Sequence, residues 1–184
     1  MQSQKENGSR IDLRAALITG IVIVAAALRI LPHPSNFTPI GALALFGGAN
    51  FSSKRAAVAV PLLSLMAGDV FTGFHKLMIW VYASFFLSVV IGFWLRRGKS
   101  VPRVGVATLA GAIQFFLITN FAVWVTSTGS YALNSRGLAA CYVAGLPLFW
   151  NTLAGDALYV ALLFGSMALV EKRFPSLREP AAVS

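Results

Sequence analysis

The chain has 184 residues, 57% of them hydrophobic and only 11% charged, with a mean hydropathy of +0.74. Soluble domains average about 25% charged residues, so this composition excludes an ordinary soluble enzyme, a secreted disulfide scaffold and a disordered chain, and points to an integral membrane protein. Fifteen Lys and Arg against six Asp and Glu give a net charge of +9, which in so apolar a chain belongs to loops beside a membrane rather than to a nucleic-acid surface; the single cysteine, Cys141, closes no internal disulfide.

Crossing about 30 Å of hydrocarbon takes about 20 mostly apolar residues in a helix. Six runs qualify in chain order: 14–31, 37–51, 56–73, 77–95, 104–126 and 150–170. The second is short and glycine-containing and follows a proline-rich turn, so a tilted or broken helix is expected there. The first has a basic start and an apolar run, as a signal peptide does, and is read as an uncleaved helix because its loss would break the alternation of spans. The segment 137–149 is apolar but too short to span, and Pro147 should end it, so it is expected as a short extra helix on one face.

Basic residues set the orientation. Lys5, Arg10 and Arg14 precede the first run, Lys54 and Arg55 follow the second, Arg96, Arg97, Lys99 and Arg103 follow the fourth, and Lys172, Arg173 and Arg178 follow the sixth. Only Arg29, Lys76 and Arg136 fall on the other side. Cytoplasmic loops collect Lys and Arg, so both termini are expected in the cytoplasm. The fold class is then all-α, a polytopic bundle of six transmembrane helices. A single domain would span 14–173, between cytoplasmic tails at 1–13 and 174–184.

Of the six acidic residues, Glu6, Asp12, Glu171 and Glu179 lie in tails or at a membrane edge. Asp69 and Asp156 lie inside runs, each after Ala-Gly, at 66–69 and 153–156. An ionisable group at that depth costs a few kcal/mol and normally faces a partner or a wet cavity. With alternating spans, Asp69 and Asp156 fall in the same outer third as Arg29, His33, Asn36, Asn120 and Asn151. These seven are the expected ligand-binding residues, gathered in a polar pocket open to the outside. Aromatic side chains (Phe37, Phe74, Trp80, Tyr82, Trp124, Tyr131, Trp150 and Tyr159) are available to stack on a flat ligand, although interfacial belts use the same residue types. No local ligand spacing supports a metal site.

Small residues four apart, Ala16 with Gly20 and Ala107 with Gly111, let helices approach closely. Ala16 and Gly20 are the expected docking face for a partner subunit, against packing within the bundle as the alternative. The two Ala-Gly-Asp segments also hint at an inverted repeat of three helices each.

The run 29–34 (RILPHP), the run 36–48 (NFTPIGALALFGG), the Gly-Asp helices and the run 145–152 (GLPLFWNT) together resemble an uncharacterised family of small six-helix bacterial membrane proteins classed with transport. That family is distantly similar to the substrate-binding (S) components of energy-coupling factor vitamin transporters. The resemblance covers about 14–172. It implies residence in the bacterial cytoplasmic (inner) membrane, a vitamin-like small molecule bound near the outer face, and ATPase and transmembrane coupling subunits as partners. It also implies docking through an alanine motif in the first helix, which Ala16-x-x-x-Gly20 matches loosely. The chain has no G-x-x-x-x-G-K-S/T run, so ATP hydrolysis would have to come from another chain.

The favoured expectation is therefore a small-molecule uptake protein that is not itself an enzyme and holds no cofactor. One alternative is a structural membrane subunit whose buried charges only fix helix packing. A more distant one is an intramembrane aspartyl protease, which uses two aspartates sharing a proton. Here the Gly-x-Gly-Asp and Tyr-Asp patterns of those enzymes are missing.

Overall fold

The computed structural model describes residues 2–27, 32–73, 76–126 and 130–178, with the side chains of 2–12, 71 and 72 excepted. Among the described residues there are six α-helices: α1 (Gln2–Ala27), α2 (Ile40–Asn50), α3 (Lys54–Thr72), α4 (Met78–Leu95), α5 (Val101–Thr126) and α6 (Ser135–Arg173). A short 3-10 turn at Pro175–Leu177 follows. Three of the helices, α4, α5 and α6, are long and apolar enough to cross a membrane. Their outward faces expose large apolar side chains, among them Ile79, Val143 and Leu169. Such faces suit lipid rather than water, and the chain is a membrane protein by this measure.

Sequence and structure differ in several places. The run at 37–51 forms a helix of eleven residues, about 16 Å long, which cannot span hydrocarbon on its own. All but one of its residues, Gly41, are buried. It is an internal helix, enclosed by the other elements rather than facing lipid. The expected short helix around 137–149 does not exist as a separate piece, because α6 runs unbroken from 135 to 173. Pro147 lies inside it, where the lost backbone bond is tolerated in an apolar helix packed on its neighbours. The early part of α6 lies along α5: Tyr142 donates its hydroxyl to the Leu117 carbonyl at 2.8 Å, and the Phe116 and Phe149 rings stand 5.2 Å apart. The expected N-terminal tail is also helical, since α1 begins at Gln2. The two halves of the chain do not match as repeats, because their middle helices are eleven and 26 residues long.

Glycines permit the closest packing. α2 crosses α4 at Gly48 and Gly92, where a Cβ on either would strike the other's Cα at 2.9 Å. Gly47 leaves room for the ring of Pro61 in α3. Around this crossing Leu45, Phe46, Ala49, Val89 and Leu95 form the core.

Polar contacts tie one end of the bundle together. Arg14 of α1 pairs with Glu171 of α6 at 2.7 Å and also donates to the Leu177 carbonyl. Arg96, just past α4, donates to the carbonyls of Gly48 and Phe51 at 2.8 and 2.7 Å. It thereby covers the C-terminal end of α2, where carbonyls lack helical partners and a cation is favoured.

The glycine crossing makes a direct prediction. Gly48→Ala should lower stability by about 2 kcal/mol, since backbone faces the added methyl and overpacking a tight interface costs that order. Gly105→Ala, where nothing stands within 4 Å, should be neutral or slightly stabilising. Thermal denaturation of the two variants in detergent checks the contrast.

Candidate functional site

A cavity of about 330 Å3 lies inside the bundle, between the N-terminal end of α2 and the loop 32–38. Its lining includes Asn36, Thr38, Ile40 and Gly41 from that loop and α2, and Leu65 and Asp69 from α3. Val81, Phe85 and Ser88 come from α4, Phe115, Thr119 and Asn120 from α5, and Phe149, Thr152 and Asp156 from α6. Asp69 and Asp156 thus line one hollow. Two of its lining residues, Asn36 and Leu148, are exposed.

Asp156 is 4% exposed. Its carboxylate lies directly over Gly41, where a Cβ would collide with both oxygens unless the Asp156 side chain moved. The backbone N–H of Ala42 is its hydrogen-bonding neighbour. Ile40, Gly41 and Ala42 open α2, and the residue before them, Pro39, offers no side-chain cap. The first turn of a helix presents unpaired N–H groups and partial positive charge. Asp156 supplies the acceptor from another helix. Gly155 makes this possible: the backbone of Phe37 and Thr38 passes 3.2 Å from where its Cβ would be, which brings α6 close beneath the loop.

Asp69 is 1% exposed and accepts a hydrogen bond from the Tyr82 hydroxyl at 2.8 Å. That contact joins α3 to α4. Asn120 donates Nδ2 to the Phe116 carbonyl at 2.9 Å, and its Oδ1 occupies the space that Gly145 leaves open. Asn36 holds a positive φ of 63°, a conformation Asn tolerates better than most residues. It sits in a tight turn closed by the Phe37 N–H and the Pro34 carbonyl at 3.0 Å.

The remaining expected residues lie elsewhere. Asn151 does not line the cavity; it donates Nδ2 to the Ser35 carbonyl at 3.0 Å and so pins the loop to α6. His33 is exposed, with Nδ1 2.9 Å from the Pro34 carbonyl, and is also absent from the lining. Arg29 falls outside the described residues. Ala16 and Gly20 are exposed on α1, and Gly20 borders a separate apolar groove with Tyr159 and Leu162 of α6. Of the aromatic residues expected to stack on a ligand, none that is described lines the cavity, and Phe74 lies outside the described residues. The ring wall is instead Phe85, Phe115, Phe116 and Phe149. Among the described residues no three metal-ligating side chains cluster.

Thr38, Ser88, Thr119 and Thr152 add hydroxyls to the lining that sequence reasoning missed. Thr119 and Thr152 bond back to the carbonyls of Phe115 and Leu148 at 2.8 and 2.9 Å, a common habit of such residues in apolar helices. Their only signal in the sequence is the spacing Phe115, Thr119 and Leu148, Thr152, one helical turn each.

Tyr82→Phe removes the donor to a buried carboxylate and should cost about 2 kcal/mol, the range for hydrogen bonds to charged groups. Equilibrium unfolding of the variant beside the wild type measures it; a change within about 0.5 kcal/mol would mean that Asp69 does not rely on the hydroxyl.

No curated protein and no solved structure matches the chain. Over residues 9–177 it matches a family described as one of unknown function, DUF6580, and the chain belongs to that family.

Proposed function

We propose that this protein is a small-molecule uptake component, a substrate-binding membrane subunit whose polar pocket faces outward. The observation that carries the reading is the convergence of Asp69 and Asp156, from α3 and α6, on one cavity of about 330 Å3. That volume is at the lower end of the range of small-molecule sites, about 300–1,000 Å3. The wall is mostly apolar with a few polar groups, as ligand pockets are.

Charge supports the orientation. The end of the bundle away from the cavity holds Arg14 and Arg96 in their contacts with Glu171 and Phe51, and the helix ends and the loop there also carry Lys54, Arg55, Lys99, Arg103 and Lys172. By the positive-inside rule that end is cytoplasmic, which turns the cavity mouth to the periplasm or exterior. On this reading the chain crosses the inner membrane six times with both termini inside. The second crossing is made by the loop 32–39 together with α2. The likeness to S components of energy-coupling factor transporters fits this arrangement, with ATPase and transmembrane coupling subunits as partners and α1, with Ala16 and Gly20, as the docking side.

A structural subunit is the second reading, favoured by the packing roles of both aspartates. The two separate experimentally. In a Cys141→Ser background, Asn36→Cys should react with a membrane-impermeant maleimide in intact cells, and Lys172→Cys only after permeabilisation. A thermal-shift screen of the purified protein against vitamins and their precursors should yield at least one stabilising compound; saturation at 100 times Kd adds about 2.7 kcal/mol. Asp69→Asn and Asp156→Asn should abolish that shift while lipid-facing Ile79→Ala keeps it. Labelling in the reverse sense, or no stabilising compound, contradicts the uptake reading.

A further inference from the structure

Resting on the uptake reading, the charge of the cavity narrows the class of solute. Among the described residues its lining contains two carboxylates and no Lys, Arg or His. Asp69 is engaged by Tyr82, so the inference is built on Asp156. Its side chain is more than nine-tenths buried. Among the described residues no Lys, Arg or His pairs with Asp156. A carboxylate offers about four acceptor positions, and the Ala42 N–H takes one. The N-terminal pole of α2 contributes roughly half a positive charge. The remaining acceptor positions are therefore open to donors from the cavity.

The rest of the wall agrees with a positively charged guest. Phe85 and Phe115 stand 5.4 Å apart with planes tilted by 34°, and Phe116 and Phe149 stand 5.2 Å apart. Aromatic faces carry negative potential, attract cations and stack on flat rings. An anionic guest would meet repulsion from Asp156 in surroundings that screen it poorly.

We infer that the solute is a small organic cation built on a flat unsaturated ring, with its charged N–H group on Asp156 and its ring among Phe115, Phe116 and Phe149. Thr152, one turn before Asp156, and Thr119 supply oxygens for further donors on the guest.

An isosteric series tests this on the full-length protein in lipid nanodiscs. Benzamidine, benzamide and benzoate share one ring and differ in charge at one position. Benzamidine should bind at least about tenfold tighter than benzamide, the margin of a charge-assisted hydrogen bond, and benzoate should not bind measurably. In Asp156→Asn the ratio of benzamidine to benzamide affinity should fall to about one, while lipid-facing Val143→Ala keeps the wild-type ratio. If Asp156→Asn fails to fold, the ranking of the three probes on the wild type decides alone. Benzamidine binding no tighter than benzamide, benzoate binding best, or a cation preference that survives Asp156→Asn would each overturn the inference. Benzamide or benzoate binding without cation preference leaves the uptake reading intact, whereas maleimide labelling from the wrong side removes that reading itself.

Discussion

A short helix enclosed by other helices in an apolar setting has a problem at each end. Its first amides and last carbonyls lack helical partners, and each group left unmet in apolar surroundings costs several kcal/mol. In this protein α2 is that helix, and the two ends are met from outside it. Asp156 of α6 covers the N-terminal pole, and Arg96 covers the C-terminal one through the Gly48 and Phe51 carbonyls. Each charge has the sign that the helix dipole favours. The placement of α6 and of the α4 terminus is therefore tied to α2, and the glycine crossing at Gly48 and Gly92 holds the register.

The cavity follows from the same constraint. α2 covers only about 16 Å of a bundle whose outer helices are 18 residues or more. Beyond its first turn the interior is left to the loop 32–38, which is thinner than a helix and does not fill the space. Ile40 and Gly41 border the hollow at the helix end, the loop borders it on the other side, and four longer helices wall it. Asp156 is both cap and cavity wall because the helix end and the hollow share a boundary. A carboxylate needed for packing thereby becomes available to a guest, which is why a structural role and a binding role for this residue are not exclusive.

Much of this was legible in the residues. The apolar runs give α2, α3, α4 and α5 to within three residues at each end, whereas α1 and α6 begin at Gln2 and Ser135 instead of near 14 and 150; Asp69 and Asp156, singled out as acids inside apolar runs, line one cavity. Other features were not legible. Burial of α2 on all sides leaves no amphipathic stripe to distinguish it from a lipid-facing span, so Phe37 to Phe51 reads as a weak crossing. The proline at 147 reads as a stop, yet tertiary packing of α6 on α5 carries the helix through it. Trp and Tyr attract notice as stacking residues, but their polar edges suit the membrane interface, and the apolar Phe side chains form the inner wall. His33 and Asn151 are polar but make their contacts at the loop, His33 with the Pro34 carbonyl and Asn151 with the Ser35 carbonyl.

The central claim is that Asp156 closes the N-terminal pole of a fully enclosed α2. Hydrogen–deuterium exchange of the intact protein in nanodiscs, read by mass spectrometry over residues 40–50, tests it most directly. The account predicts strong protection across that segment in the wild type, with faster exchange confined to its first turn in Asp156→Asn. Exchange at 40–50 as fast as in the loop 32–38, or a first turn indifferent to Asp156→Asn, would contradict it.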